Sequence, residues 1–240
     1  MPTGSHRALR EPSGERQDLV AQTTRSRYRG AIVAIAPAVL LAGFAYHPFL
    51  DPPIDPGAVA VAAAADTTRW GIAHLTVALG YGLVMLGFLA IRSHLREAGE
   101  ERWSGVALPF IVMGSTLFVI LTGMEFAPLA AAETGADARR AQAALLPWFL
   151  PIVLTGGVSF ALGAIGFAVA VVRSRVLGPG PTRLVAGALI VMAVARFVPL
   201  SAANYVIGAA GILALWPLAY AMWREPMPRP AESPRPVPAT

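Results

Sequence analysis

Six long apolar runs, separated by short polar segments, dominate the pattern of hydrophobic and polar positions along the chain. Crossing the hydrocarbon core of a bilayer takes about 20 apolar residues, at a rise of about 1.5 Å per residue in an α-helix. The pattern therefore predicts an all-α polytopic membrane protein, a bundle of six transmembrane helices. The predicted spans lie at about 30–50, 70–92, 105–127, 146–172, 183–199 and 202–223.

The boundary between the last two spans follows from length. Residues 184–223 contain one charged residue, Arg196. As one straight helix this stretch would be about 60 Å long, roughly twice the thickness of the hydrocarbon core. The segment VPLSAAN at 198–204 supplies a proline and small polar residues at which a helix can end. We therefore expect the chain to fold back there.

Polar segments flank the predicted transmembrane domain at residues 29–223. Residues 1–28 are rich in arginine and lack apolar periodicity, which predicts a disordered basic tail, and residues 224–240 form a proline-rich tail. The N-terminal tail holds six arginines, and the 92–104 loop, the 173–183 loop and the C-terminal tail hold three each. The other flanks hold only Arg69, Arg139 and Arg140. The positive-inside rule then predicts that both tails are cytoplasmic.

Composition narrows the class further. The chain is 55% hydrophobic and 14% charged, which is typical of a membrane protein rather than a soluble domain. All 19 basic residues are arginine and alanine is abundant, which indicates a high-GC bacterial genome and hence the bacterial cytoplasmic (inner) membrane. The absence of cysteine excludes disulfides and thiolate ligands. Membrane orientation accounts for the net charge of +5, so no nucleic-acid partner is expected.

Small residues predict where the helices contact each other, because packing and hydrogen bonds hold helices together in lipid. Span four is the richest and is predicted to be a central helix, with a protein partner or a homo-oligomer through this span as an alternative. Close approaches are also predicted in spans two and six. The residues concerned are Gly156, Gly157, Ser159, Gly163 and Gly166 in span four, Ala78 and Gly82 in span two, and Gly208 and Gly211 in span six.

Polar side chains from five spans are predicted to meet near the outer membrane face. The middles of the spans contain no Asp, Glu, His, Lys or Arg, which argues against a proton or ion path across the bilayer. A shallow polar pocket, open toward the outer side, is the expected result. Its candidate ligand-binding residues are His47, His74, Glu125, Arg196, Asn204 and Tyr205.

Three kinds of chemistry are open to this cluster. His47, His74 and Glu125 could supply three ligands to a zinc ion with an open fourth position. Alternatively, His47 and His74 could be the axial ligands of a haem, and Glu125 and Arg196 could form an ion pair. A purely interfacial or packing role for each histidine is a further alternative, because polar side chains near a span end reach water cheaply.

The leading hypothesis for function is the binding or handling of a small or lipid-like molecule in the pocket, with membrane lipids as partners. A metal-assisted membrane hydrolase using His47, His74 and Glu125 is one alternative, and an accessory subunit of a larger membrane complex is another. Signatures of phosphate-loop, dinucleotide-binding and serine-hydrolase proteins do not occur in the chain.

In the outer 51–69 loop, AVAVAAAA is predicted to form a short surface helix.

Overall fold

A computed structural model describes residues 12–50 and 54–224, with side chains from residue 24 onward. This part of the chain is all-helical and contains no strand. Its helices are α1 (Pro12–Tyr46), α2 (Pro56–Ala65), α3 (Thr67–Glu97), α4 (Arg102–Met124), α5 (Phe126–Glu133), α6 (Ala138–Ser174), α7 (Pro179–Ala195) and α8 (Ala202–Arg224).

The predicted class of helical membrane protein agrees with five helices that are long and apolar enough to cross a bilayer. The sixth predicted span corresponds to α7, which is apolar but has only 17 residues. Five of the predicted spans each overlap one helix, and the span at 105–127 overlaps α4 and the first residues of α5. The five long apolar segments are Thr24–Tyr46, Thr67–Glu97, Arg102–Glu133, Ala138–Ser174 and Ala202–Arg224.

Six of the helices form a closed ring. Each of α1, α3, α4, α6, α7 and α8 packs on the next in that order, and α8 returns to α1. The ring encloses a core in which large apolar side chains are fully buried, among them Phe88, Phe160, Phe167 and Leu215. Helix α7 therefore occupies the same kind of position as the five longer helices, between α6 and α8.

Glycines set the closest helix contacts, as predicted for span four. A Cβ on Gly163 would lie 2.7 Å from the Ile111 side chain, and one on Gly166 would lie 2.7 Å from Ala107. The small-residue face of α6 is therefore buried within the chain, against α4.

The predictions for the other two small-residue pairs have different outcomes. Gly208 and Gly211 of α8 do approach α1, at Leu41 and Pro37. The prediction for span two is wrong at Gly82, because no other helix of the described chain has an atom within 4 Å of its Cβ position. Gly80 packs on Leu40 of α1 instead. The spacing of small residues does not show which face of α3 is turned toward α1.

Two short helices cover the end of the bundle where α1 finishes and α3 begins, here called the His47 end. The predicted helix in the 51–69 loop is present as α2, and it packs on α5 and α6 as well as on α3. Its Val59 and Ala63 are buried in a small cluster with Leu50 and Trp70. Helix α2 is thus part of the fold rather than only a surface helix.

The second half of the predicted disordered N-terminal tail is helical in the structure. Residues 1–11 and 225–240 lie outside the described residues, but α1 already begins at Pro12. Ser26 Oγ donates a hydrogen bond to Met222 O at 2.7 Å, and Trp223 Nε1 donates to Arg27 O at 3.1 Å. Contacts with α8 thus stabilise helix in a segment whose own pattern shows no apolar periodicity.

Candidate functional site

Five of the six predicted site residues line one cavity of about 450 Å³ at the His47 end. Tyr205 is the exception: it is 36% exposed and does not line the cavity. The wall is otherwise largely apolar. Ser201 Oγ donates a hydrogen bond to Leu50 O, which ties the α7–α8 connection to the segment that follows α1. The predicted residues in the wall are His47, His74, Glu125, Arg196 and Asn204.

The two histidines face each other directly. His47 follows the end of α1, and His74 lies in the second turn of α3. Their Nε2 atoms are 3.3 Å apart, and the rings are inclined by 66° with centroids 4.8 Å apart. Trp70 packs against both rings, at 5.3 Å from His47 and 4.6 Å from His74 between centroids.

Backbone carbonyls hold the other nitrogen of each ring. His47 Nδ1 is 2.7 Å from Pro48 O, and His74 Nδ1 is 2.7 Å from Trp70 O. A carbonyl can only accept, so each contact is a hydrogen bond when Nδ1 carries the proton. Burial lowers the pKa of the His47 imidazole; the hydrogen bond to Pro48 opposes this effect, and the charge of Arg69 adds to it.

Neither predicted cofactor arrangement is assembled as expected. The direct ring contact between His47 and His74 leaves no gap for a planar haem, so the haem prediction does not fit this structure. Within the described ranges, no three His, Cys, Asp or Glu side chains lie close enough together to hold a metal ion. The predicted three-ligand zinc site is therefore reduced to its two histidines.

Arg196 extends from the end of α7 into a cage of aromatic rings. Its guanidinium carbon is 4.4 Å from the Phe118 ring centroid, 4.7 Å from that of Phe160 and 5.1 Å from that of Tyr81. Its Nη1 also donates a hydrogen bond to the Tyr81 hydroxyl. Cation–π contacts of this kind strengthen when the cation is removed from water.

This placement puts the charge deeper than the sequence predicted. Tyr81 and Phe160 lie near the middles of α3 and α6, respectively. Arg196 starts near a helix end, but its long side chain points into the ring of helices instead of toward the interface. The prediction that charged groups stay at a shallow level is wrong for this guanidinium.

The predicted ion pair between Glu125 and Arg196 is also wrong. In the described part of the chain the only salt bridge joins Arg29 to Glu97, at the opposite end of the bundle. Glu125 Oε1 instead accepts a hydrogen bond from Gln142 Nε2 at 3.2 Å. The two charged side chains turn toward different partners, Arg196 to the aromatic cage and Glu125 to α6.

Four buried polar atoms in this region have no hydrogen-bond partner among the described residues: Nε and Nη2 of Arg196, Oε2 of Glu125 and Oε1 of Gln142. Buried polar atoms are nearly always paired, and an unpaired one costs about 1–3 kcal/mol, with more for a charged group. Such atoms beside a cavity mark where a ligand would contribute most to stability.

Sequence reasoning missed three contributors to the site. Tyr81 lies seven residues after His74, so a face drawn through two helical turns would have included it. Gln142 precedes the apolar run of span four and carries no sequence signal for its contact with Glu125. Trp70 lies one helical turn before His74; it is fully buried, and its Nε1 donates a hydrogen bond to Glu125 O at 2.9 Å.

Comparison of the chain with protein-family models, curated proteins and solved structures gives no match in any of the three. The geometry of the site therefore carries the functional argument by itself.

Proposed function

We propose that this protein binds an amphipathic anion, a small or lipid-like molecule with a carboxylate or phosphate head group, in the cavity at the His47 end. The head group would lie against Arg196 and the hydrocarbon portion along the apolar wall. This proposal makes the protein a lipid-handling membrane protein rather than an ion path or a relay.

The observation that carries the proposal is the state of the Arg196 guanidinium. It is caged by aromatic rings, and within the described part of the chain it has one hydrogen-bond partner, Tyr81, while Nε and Nη2 have none. A guanidinium binds carboxylate and phosphate oxygens through two parallel N–H groups. Nε and one Nη nitrogen form such a pair of donors, and an anionic head group would satisfy both.

The rim of the cavity supports the lipid-like part of the proposal. Leu154 on α6 is 60% exposed, and Phe197 after α7 is 52% exposed, although both line the cavity. In a bilayer, these apolar side chains would face hydrocarbon. An acyl chain could therefore enter between α6 and the α7–α8 connection without crossing a polar barrier.

The membrane arrangement of the proposal has six crossings with both termini in the cytoplasm of a bacterium. Helix α7 supports the sixth crossing, because 17 residues are at the lower end of the length that spans a bilayer and α7 closes the ring between two longer helices. The arginine distribution supports the orientation and would put the His47 end on the outer side.

The two alternative functions have less support. A hydrolase with three zinc ligands would need Glu125 beside the histidines, whereas its carboxylate is bonded to Gln142. The accessory-subunit hypothesis depends on the small-residue face of span four, which α4 occupies.

The test compares palmitate with hexadecanol, which has the same chain length but no charge. Binding of each radiolabelled probe to detergent-purified, delipidated protein is measured by equilibrium dialysis. Wild type should bind palmitate more tightly than hexadecanol. Arg196→Gln should weaken palmitate binding by about 10- to 100-fold, the equivalent of about 1.5–3 kcal/mol for hydrogen bonds to a charged group, and leave hexadecanol nearly unchanged.

Arg139→Gln is the matched control, because Arg139 is an exposed arginine at the same end of the bundle and does not line the cavity. It should bind palmitate as wild type does. Equal affinity for the two probes, or palmitate binding that does not depend on Arg196, would contradict the proposal.

A further inference from the structure

The two histidines make three hydrogen-bond contacts but, when neutral, carry only two N–H protons to donate. Three contacts are made: His47 Nδ1 with Pro48 O, His74 Nδ1 with Trp70 O, and Nε2 with Nε2. Two neutral imidazoles carry two N–H protons in total. If both protons occupy the Nδ1–carbonyl contacts, two Nε2 lone pairs point at each other.

Moving one proton to Nε2 does not remove the problem. It would pair the two Nε2 atoms but would leave one Nδ1 lone pair 2.7 Å from a carbonyl oxygen, which can only accept. Every neutral arrangement therefore has at least one contact between two acceptors. All three contacts become favourable only when a cation is added between the Nε2 atoms, either a third proton or a metal ion.

The separation of the Nε2 atoms favours a metal ion over a shared proton. Charge-assisted hydrogen bonds are short, about 2.7–2.9 Å, whereas these atoms are 3.3 Å apart. Two imidazole nitrogens bonded to one zinc ion at about 2.0–2.1 Å with a tetrahedral angle are about 3.3–3.4 Å apart. The observed separation matches the edge of that tetrahedron.

The surroundings match those of metal-binding histidines. Metal-ligating histidines usually donate the N–H of the non-ligating ring nitrogen to a carbonyl or carboxylate, which fixes the tautomer and the ring orientation. Both rings have this partner, on two different backbone segments. Both residues also line the cavity, so further positions on the ion would be open to water or to a ligand.

From these contacts we infer that His47 and His74 form a two-histidine site for a divalent transition-metal ion of the zinc type, bound through the two Nε2 atoms, with its remaining positions directed into the cavity. The inference does not depend on the proposed binding of an amphipathic anion. A bound anion could supply a further ligand, but the two histidines suffice to locate the ion.

The experiment uses full-length protein in detergent, stripped with a chelator and dialysed against increasing Zn²⁺. Bound zinc is measured by elemental analysis. We expect saturable binding of about one ion per chain in wild type. His47→Gln and His74→Gln should each weaken this binding by at least about tenfold, because each removes one of the two protein ligands.

His94→Gln is the matched control, since it removes a buried histidine from the same helix, α3, near its other end. It should bind zinc as wild type does. A second measurement follows thermal unfolding: zinc should raise the melting temperature of wild type and of His94→Gln, but not that of His47→Gln or His74→Gln.

Folded wild-type protein that shows no saturable zinc binding would overturn the inference, and so would zinc binding that survives both histidine substitutions. The first result needs no variant, so it holds even if a substitution impairs folding. The palmitate assay on metal-free protein separates this outcome from the proposed function, because it reports on Arg196 and not on the histidines.

Discussion

Helices α4 and α6 contact each other in two opposite ways along their length. At Gly114, Gly163 and Gly166 the two helices approach so closely that a Cβ on any of these glycines would lie 2.7 Å from an atom of the other helix. Toward the His47 end the same helices contribute Phe118 and Phe149 to the wall of a cavity. The first region is close-packed, and its contacts are made by small and apolar residues around the glycines. The second region holds the guanidinium of Arg196 in its aromatic cage. The difference indicates that packing stabilises the first region, whereas the second region contains the polar atoms that the proposed ligand would bind.

The largest effect is expected where the helices are closest. A Cβ on Gly114 would lie 2.7 Å from Phe160 N and 2.9 Å from Gly156 O, which are backbone atoms that cannot move independently. Gly114→Ala should therefore lower the free energy of unfolding by about 3 kcal/mol, measured by thermal or SDS unfolding in detergent. Gly82→Ala is the control, because nothing lies within 4 Å of its Cβ position. Gly82→Ala should be neutral or stabilising by up to about 1 kcal/mol. Similar losses of stability in the two variants would contradict the close contact of Gly114 with α6.

A smaller effect on the free energy of unfolding is expected in the cavity, and a second substitution should reverse it. Tyr81→Phe removes the hydroxyl that accepts a hydrogen bond from the Arg196 guanidinium and should destabilise the ligand-free protein by about 1–3 kcal/mol. Adding Arg196→Met removes the partly buried charge itself, so the double variant should recover the stability of wild type or exceed it. Additive losses in this double-mutant cycle would mean that the cavity is as well satisfied as the α4–α6 contact, contrary to the comparison above.

The smallest effect concerns Glu125. Its carboxylate contacts Gln142 and not Arg196, so Glu125→Leu and Gln142→Leu should be coupled by about 0.5–1.5 kcal/mol in a double-mutant cycle of unfolding free energies. Glu125→Leu and Arg196→Met should be nearly additive, because the two side chains share no contact. Strong coupling between Glu125→Leu and Arg196→Met would instead support the ion pair that the sequence predicted.

The candidate site was predictable as a set of residues but not as a set of contacts. Counting residues from the span ends brought His47, His74, Glu125, Arg196 and Asn204 to one level, and all five line the cavity. Which side chains then touch depends on the rotation of each helix about its axis and on the length of each side chain. Those properties put the charge of Arg196 beside Tyr81 instead of Glu125.

The sequence by itself determined the helical class, the approximate position of each apolar helix and the collection of polar residues at one end of the bundle. It did so because the length and period of apolar runs are local properties of a chain in lipid. Only the tertiary structure decided that the ring closes between α8 and α1, that Gly80 rather than Gly82 is at a helix contact, and that the two Nε2 atoms meet. These features depend on distances between residues far apart in the chain, and nothing in the local pattern specifies how helices rotate against one another.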